Sequence, residues 1–276
     1  MIDHSGSILS MVRSLTRNQT LIARMTKREV QARYRGSVVG LAWSFFNPVL
    51  LLLVYTFVFS VIFQARWGGS RFEDGGDNGI FAVMIFAGMI VHGLFSECVI
   101  RGPILITENA NYVKRVIFPL EVLPWVTVLT GLFHALISVL VLVLGLLVVT
   151  GTIPWTLVLY PLVLIPLVIM TMGFCWFLAA AGVYFRDLGQ VSGFISTLLL
   201  FLSPVFYPLS AIPEEYRAMF YINPLTYFIE ATREILVYGA IPAFGSLAMV
   251  YVISLVIAWL GFAWFQKTRR GFADVL

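Results

Sequence analysis

Few residues in this sequence could perform chemistry, and those few are scattered among long apolar runs. Glu97 precedes Arg101 by four residues, a spacing that suits an ion pair on one helix. His92 and His134 have no His, Cys or carboxylate at ligand spacing, so we expect two neutral, hydrogen-bonded side chains and no metal site. No nucleophile, base and orienting group stand together, which argues against an enzyme.

The sequence also lacks a nucleotide-binding loop. Such a loop ends in Gly-Lys-Ser or Gly-Lys-Thr, whereas the three lysines here follow Thr26, Val113 and Gln266. We therefore expect this chain to hydrolyse no nucleotide and to carry no cofactor of its own.

The composition predicts an all-α integral membrane protein. Of the 276 residues, 60% are apolar and only 12% are charged, well outside the mixture of ordinary globular proteins. The apolar residues form long uninterrupted runs. Cys98 and Cys175 lie inside two of these runs, where they are expected to pack as small hydrophobic side chains.

Six membrane spans are predicted from the apolar runs, because a helix needs about 20 apolar residues to cross a bilayer. The fifth run is the shortest, and Pro48 predicts a kink in the first. All six belong to one transmembrane domain that covers residues 1–276. The predicted spans are 38–63, 80–100, 122–149, 155–183, 191–206 and 244–265.

The N-terminal region 1–37 is polar and basic. Residues 1–19 are expected to be loosely ordered, and a basic amphipathic helix is predicted from Thr20 to Arg35, of the kind that lies among lipid headgroups. Its arginines would attract an anionic headgroup, or they would only set the topology of the chain. These arginines are Arg24, Arg28, Arg33 and Arg35.

The basic residues predict the orientation in the membrane. With six spans, both termini share one side with the loops after the second and fourth spans. That side carries fourteen Lys and Arg residues, against four on the other side. Because cytoplasmic loops carry an excess of basic residues, both termini are predicted to be cytoplasmic.

A cytoplasmic stretch separates the second and third spans. Residues 107–118 could form about three helical turns, too short and too polar to cross the membrane. Three interpretations stay open: a helix on the membrane surface, an ordinary loop, or a docking site for a soluble partner. The residues concerned are Glu108, Asn109, Asn111, Tyr112, Val113, Lys114, Arg115, Val116, Ile117 and Phe118.

A second unusual stretch, 211–238, precedes the last span on the outer side. Prolines divide it into two short charged pieces, which predicts a hairpin of half-helices that dips into the membrane and returns. Two helices lying flat on the surface are the alternative. The residues expected to shape this outer gate are Pro208, Pro213, Asn223 and Pro224.

Aromatic residues are abundant, and some share helix faces. Tyr55 and Phe59 are four residues apart in the first span, and Phe194 and Phe201 lie two turns apart in the fifth. Such rings commonly pack against lipid or protein, but their faces also stack on sugar rings. These four residues are therefore candidates for the lining of a glycan channel.

Several blocks of sequence carry a family resemblance. The most specific is QARYRGS at 31–37, which is followed by Gly40, Trp43 and Asn47-Pro48. Later blocks are YFRDLGQ at 184–190, SPVFYP at 203–208 and Asn223-Pro224. Through these blocks nearly the whole chain closely resembles the permease subunits of bacterial ATP-binding-cassette exporters for O-antigen polysaccharide, with teichoic-acid and capsule exporters as near relatives.

The resemblance implies a homodimer that works with two copies of a separate ATPase, which would bind ATP and Mg²⁺. It implies six spans, an interface helix before the first, a coupling helix at 107–118 and an outer gate at 211–238. The dimer would enclose a channel in the bacterial inner membrane for polysaccharide attached to a polyprenyl diphosphate lipid. The expected partners are thus the ATPase, the lipid-linked glycan and membrane lipids, with no nucleic acid.

Other functions stay open at this point. The same machine could export capsule, teichoic acid or a drug. An integral-membrane enzyme acting on polyprenyl-linked glycans would need a polar cluster at the membrane edge, for which Glu230, Arg233 and Glu234 come nearest. A proton-coupled flippase would depend on Glu97.

Overall fold

The computed structural model describes residues 7–63, 77–113 and 118–276, and in these ranges all regular structure is helical, which confirms the predicted class. The helices are α1 (Ile8–Arg33), α2 (Trp43–Tyr55), α3 (Asp77–Arg101), α4 (Leu105–Glu108), α5 (Ala110–Val113), α6 (Val122–Thr150), α7 (Tyr160–Tyr184), α8 (Leu188–Phe201), α9 (Glu214–Ile222), α10 (Pro224–Leu236), α11 (Phe244–Thr268) and α12 (Phe272–Val275).

Five helical stretches among the described residues are long and apolar enough to cross a membrane, and they coincide with five of the six predicted spans. The remaining predicted span, 191–206, corresponds to α8, an apolar helix of 14 residues. This is shorter than a helix that crosses a bilayer on its own. The five long stretches are Gly40–Ile62, Gly79–Arg101, Val122–Thr150, Trp155–Tyr184 and Phe244–Val275.

Helix α1 is longer than the helix that the sequence predicted from Thr20 to Arg35. It begins at Ile8, where the Ser7 hydroxyl accepts a hydrogen bond of 3.2 Å from the backbone N–H three residues further on. Such an N-cap satisfies a donor that a helix start leaves unpaired, so the polar segment can be helical. The expectation of loose order up to residue 19 is therefore wrong from Ile8 onward. Ile22 is buried in a small cluster with Val126 of α6, which holds α1 against that helix.

The first span contains two irregularities. Pro48 lies inside α2, where it removes one backbone donor. From Thr56 to Ile62 the helix continues as a π-helix, a rare form that is frequent at functional sites. A π turn holds more residues than an α turn, yet Tyr55 and Phe59 remain neighbours, with ring centroids 6.3 Å apart.

Helix α3 lies at the centre of the fold, where it packs against α6, α7, α8 and α10. Next to it, α7 and α11 cross at two glycines: a Cβ atom added to Gly261 would lie 2.0 Å from the carbonyl oxygen of Gly173. Close approach through small residues is a common way for helices to associate in membranes. The crossing therefore depends on glycine at both positions.

The stretch 211–238 contains the short helices α9 and α10. Pro213 precedes α9 and Pro224 is the first residue of α10, where the missing N–H of proline is not needed. No residue of α9 is buried, whereas α10 packs on α3 and α7 and is largely buried. Two short helices at this place agree with the predicted pieces, and their depth in the membrane stays a prediction.

Candidate functional site

A cavity of about 730 Å³ lies between the C-terminal end of α1 and the helices α2, α3 and α6. Its wall is charged and polar next to α1 and apolar along the rest of α3. The lining residues are Arg33, Tyr34, Arg35, Ser37, Trp43, Ser44, Asn47, Pro48, Leu51, Phe86, Met89, Ile90, Gly93, Leu94, Glu97, Gly131, His134, Ala135 and Ser138.

Ion pairs between α1 and α3 gather at the charged end of the cavity. Arg33 donates to the carboxylate of Glu97, a contact between residues 64 positions apart. Arg101 pairs with Glu29 of α1 at 2.5 Å and lies 3.8 Å from Glu97. The predicted pair of Glu97 and Arg101 is thus present, but Glu97 has its closer partner in Arg33, which sequence spacing could not reveal.

Both histidines are hydrogen-bonded, as predicted. His134 Nδ1 lies 2.8 Å from the carbonyl oxygen of Thr130, and His92 Nε2 lies 3.1 Å from that of Ser196. Because a carbonyl oxygen only accepts, both nitrogens carry a proton. Arg33 also lies beside His134, with 3.4 Å between Nη1 and Nδ1. Among the described residues, no group of three or more His, Cys, Asp or Glu could hold a metal ion.

The four headgroup arginines predicted from the sequence have different surroundings. Arg33 and Arg35 line the cavity, whereas Arg24 is exposed on α1. Arg28 donates to the hydroxyl of Tyr112 at 3.4 Å, and this hydrogen bond raises the pKa of Arg28. Two of the four residues therefore line the cavity, and Arg28 instead connects α1 with Tyr112 of the stretch 107–118.

In its described residues, the stretch predicted as one helix at 107–118 is interrupted. Its described part forms two four-residue helices, α4 and α5, separated at Asn109. The side chain of Asn109 donates to the carbonyl of Leu105 at 2.9 Å, a local bond that competes with helix continuation. Lys114, Arg115, Val116 and Ile117 lie outside the described residues.

The apolar side of this stretch is partly used within the protein. The rings of Tyr112 and Phe118 stack with centroids 4.3 Å apart, and both, together with Val113, pack against the core beside α7. Glu108 and Asn111 are exposed. Of the described side chains in this stretch, these two polar ones are therefore more accessible than Tyr112, Val113 and Phe118.

The aromatic candidates fall into two groups. Tyr55 and Phe59 are half-buried, and the Phe59 ring lies 6.5 Å from Phe206. Phe201 lies 5.8 Å from the same Phe206, so Phe59 and Phe201 belong to one aromatic cluster. Phe194 is 65% exposed and lies two turns away on α8.

Two further aromatic residues lie near these candidates. Phe57 is 58% exposed on the π-helical half of the first span, whereas Phe59 turns inward. Phe206 joins Phe59 to Phe201 although it lies beyond the end of α8. A helix of ordinary pitch was the only basis for choosing these residues, so a π-helix had no signal in the pattern.

The side chain of Asn223 stabilises the turn between α9 and α10. Its side chain accepts a hydrogen bond from the backbone N–H of Leu225 at 3.0 Å and so caps α10. The same side chain donates to the carbonyl of Leu202 at 3.1 Å and to the hydroxyl of Ser203 at 2.8 Å. It thereby connects the end of α8 with α10, while Pro208 precedes a short 3₁₀ turn nearby.

Arg233 clamps α10 to the rest of the fold. Its side chain is fully buried and donates to the carbonyls of Met84 at 3.0 Å and Val205 at 2.7 Å. A third bond, of 2.7 Å, goes to the carboxylate of Glu230. The polar cluster that the sequence suggested for an enzyme thus holds helices together, as a buried charge must be paired and hydrogen-bonded.

One protein family and several known proteins are similar to this chain. The family described as ABC-2 type transporter matches residues 20–237. The O-antigen export system permease protein RfbA of Myxococcus xanthus is 32% identical over 97% of this chain and 99% of its own length. The protein of the same name from Klebsiella pneumoniae is 26% identical over 93% and 95%. The polysialic acid transport protein KpsM of Escherichia coli is 25% identical over 88% and 91%.

Proposed function

The chain belongs to the ABC-2 type transporter family, and from this premise we propose that it forms the channel of an exporter for lipid-linked polysaccharide. As a member of the family it is the transmembrane component of an exporter. The proposed cargo is an O-antigen type polysaccharide on polyprenyl diphosphate, moved from cytoplasm to periplasm. In support, two of the similar proteins are named as O-antigen export permeases and one is named for polysialic acid.

The observation that carries the proposal is the two-part character of the cavity. Arg33 and Arg35 stand at one end, and Phe86, Met89 and Leu94 continue along the wall. A polyprenyl diphosphate has the same two parts, an anionic headgroup and an apolar chain. Each basic residue near such an anionic surface contributes about 1 kcal/mol.

The motive force comes from partner subunits in this proposal. Two copies of the chain form a homodimer with two copies of a cytoplasmic ATPase, which bind ATP and Mg²⁺. The ATPase contacts the stretch from Glu108 to Phe118. Exposure of Glu108 and Asn111 supports this position, as does the bond between Arg28 and Tyr112, which links the stretch to α1.

The proposed topology has six spans in the bacterial inner membrane, with α8 as the fifth and both termini in the cytoplasm. The excess of basic residues on one side, fourteen against four, supports it. The hairpin of α9 and α10 is then the outer gate, tied to α8 through Asn223. The exposed rings of Phe194 and Phe201, next to the cluster of Phe59, would line the channel between the two copies.

The first experiment tests the cavity. Permease and ATPase are reconstituted in vesicles, and ATP-dependent movement of polyprenyl-diphosphate glycan is measured. The double variant R33A/R35A should weaken apparent substrate affinity by about 30-fold, from roughly 1 kcal/mol per arginine. The control is R24A, because Arg24 is an exposed arginine of α1 that does not line the cavity. Equal losses in both variants would refute a specific site.

The second experiment tests docking without disturbing the fold. Val113 and Phe118 are partly packed, so charges there could act through folding, whereas Glu108 and Asn111 are exposed. E108R/N111R should abolish copurification of the ATPase and export. D187R/Q190R is the charge-matched control at the start of α8, because it changes the charge by the same three units and Asp187 and Gln190 are both exposed. An ATPase that copurifies unchanged with E108R/N111R would contradict the assignment.

A further inference from the structure

The C-terminal tail, defined as Arg269–Val275, folds back onto the cytoplasmic end of the helices. Arg269 donates to the carboxylate of Glu121 at 2.5 Å and to the carbonyl of Phe118 at 3.2 Å. The side chains of Arg269 and Glu121 are only 10% and 8% exposed. The tail thus binds Glu121 and Phe118, which lie between the cytoplasmic stretch and α6.

The far end of the tail is anchored independently. Phe272 is fully buried, with its ring 5.6 Å from that of Phe265. It shares one apolar cluster with Leu105 and Ile106 of α4. The residue before the tail is held as well: the hydroxyl of Tyr184 on α7 donates a hydrogen bond of 2.8 Å to the carbonyl of Thr268.

Glu121 is held from two directions. Its side chain accepts from Arg269, and its backbone carbonyl accepts from the indole N–H of Trp176 on α7 at 3.3 Å. It immediately precedes α6, one of the walls of the cavity. A displacement of the cytoplasmic stretch is therefore transmitted to α6 through Glu121, which Arg269 and Trp176 hold in position.

We propose that the tail is a brace of the coupling machinery and that Arg269 is its positioning residue. The part concerning the ATPase rests on the proposed function. A load on a loop moves the attached helix only when the loop end is fixed, and otherwise the load is lost in loop deformation. With Arg269 bound to Glu121 and Phe118, motion of the stretch is passed to α6.

The first test uses the isolated permease in detergent and needs no ATPase. Amide hydrogen exchange of residues 105–121 is followed by mass spectrometry in R269A, R269K and R270A. R269A should raise the exchange of this segment at least several-fold. R270A is the matched control, because Arg270 is the adjacent arginine and is exposed. R269K, which keeps the charge facing Glu121, should restore most of the protection. Unchanged exchange in R269A overturns the brace.

The second test measures coupling in the complete transporter. The number of ATP molecules hydrolysed for each glycan exported should rise several-fold in R269A, remain normal in R270A and recover in R269K. A general loss of folding would lower hydrolysis and export together and leave this ratio unchanged. Raised exchange with an unchanged ratio overturns the coupling role of the tail. A failure of the docking assignment would be detected separately, as unchanged copurification of the ATPase with E108R/N111R.

Discussion

Glu97 places a negative charge at the entrance of the cavity proposed for an anionic headgroup, so its removal should strengthen headgroup binding. Its carboxylate accepts from Arg33 and lies 3.8 Å from Arg101. The variant E97Q keeps the size of the side chain and its ability to accept from Arg33, but it removes the charge. Arg33 then has its full positive charge available to a phosphate.

The size of the effect follows from the charges. A phosphate on the far side of Arg33 would lie roughly 7 Å from Glu97, where two unit charges interact by about 0.6 kcal/mol in water and about 2.4 kcal/mol at an effective dielectric constant of about 20. The side chain of Arg33 is 38% exposed, so solvent screening favours the lower part of this range. We expect a gain of about 1 kcal/mol, or about five-fold tighter binding.

The assay is binding of a fluorescent polyprenyl diphosphate to the isolated permease in lipid nanodiscs at low ionic strength. R33A should weaken binding, and raised salt should reduce the gain of E97Q. E29Q is the control, because Glu29 pairs with Arg101 but does not line the cavity. Binding that is weaker in E97Q, or equal in E97Q and E29Q, would refute the reasoning. Complete loss of ATP-driven export in E97Q would mark Glu97 as an essential carboxylate instead.

Three further predictions concern the folded permease, measured by reversible unfolding in mixed micelles. R233M should lower the free energy of unfolding by about 3–5 kcal/mol, because it leaves two carbonyls and Glu230 without their buried partner, and E230Q should also be destabilising, because it removes the carboxylate charge that faces the buried guanidinium of Arg233. G261A should prevent the close crossing of α7 and α11, while G245A on the same helix, with no atom near its added Cβ, should be tolerated. N223A should cost about 1–2 kcal/mol through the lost cap and the lost bonds to the end of α8. Near-native stability in R233M, equal stability in G261A and G245A, or an unaffected N223A would contradict the respective argument.

The membrane-spanning helices were predictable because the bilayer leaves few alternatives. An apolar run that enters lipid must satisfy every backbone N–H and C=O internally, so such a run is a helix almost regardless of its neighbours. Four predicted spans therefore agree with the structure to within a few residues, as at 122–149 against Val122–Thr150, and the span 244–265 begins at the same residue as the longer stretch Phe244–Val275. The basic amphipathic character of α1 could also be predicted from a short sequence segment. The same holds for the division of 211–238 into two helices at Pro213 and Pro224.

The sequence pattern did not reveal features that depend on a side chain's choice of local partner or on a change of helix pitch. Asn109 bonds to the carbonyl of Leu105 and ends α4, so the described part of the stretch 107–118 is interrupted at this residue. The hydrophobic pattern also gave no signal for the π-helix at Thr56–Ile62, although Tyr55 and Phe59 share a face as predicted. Both outcomes depend on small energy differences that a hydrophobic pattern does not contain.

The amino-acid sequence by itself determined the all-helical membrane class, five of the spans and the presence of arginines at the end of α1. Only the tertiary structure decided that Arg33 meets Glu97, that Arg35 shares a cavity with the apolar wall of α3, and that Arg269 reaches Glu121. The physical reason is the range of the interactions. Helix formation in lipid is settled within some twenty residues, whereas pairs separated by 64 or 148 positions arise only from the packing of whole helices.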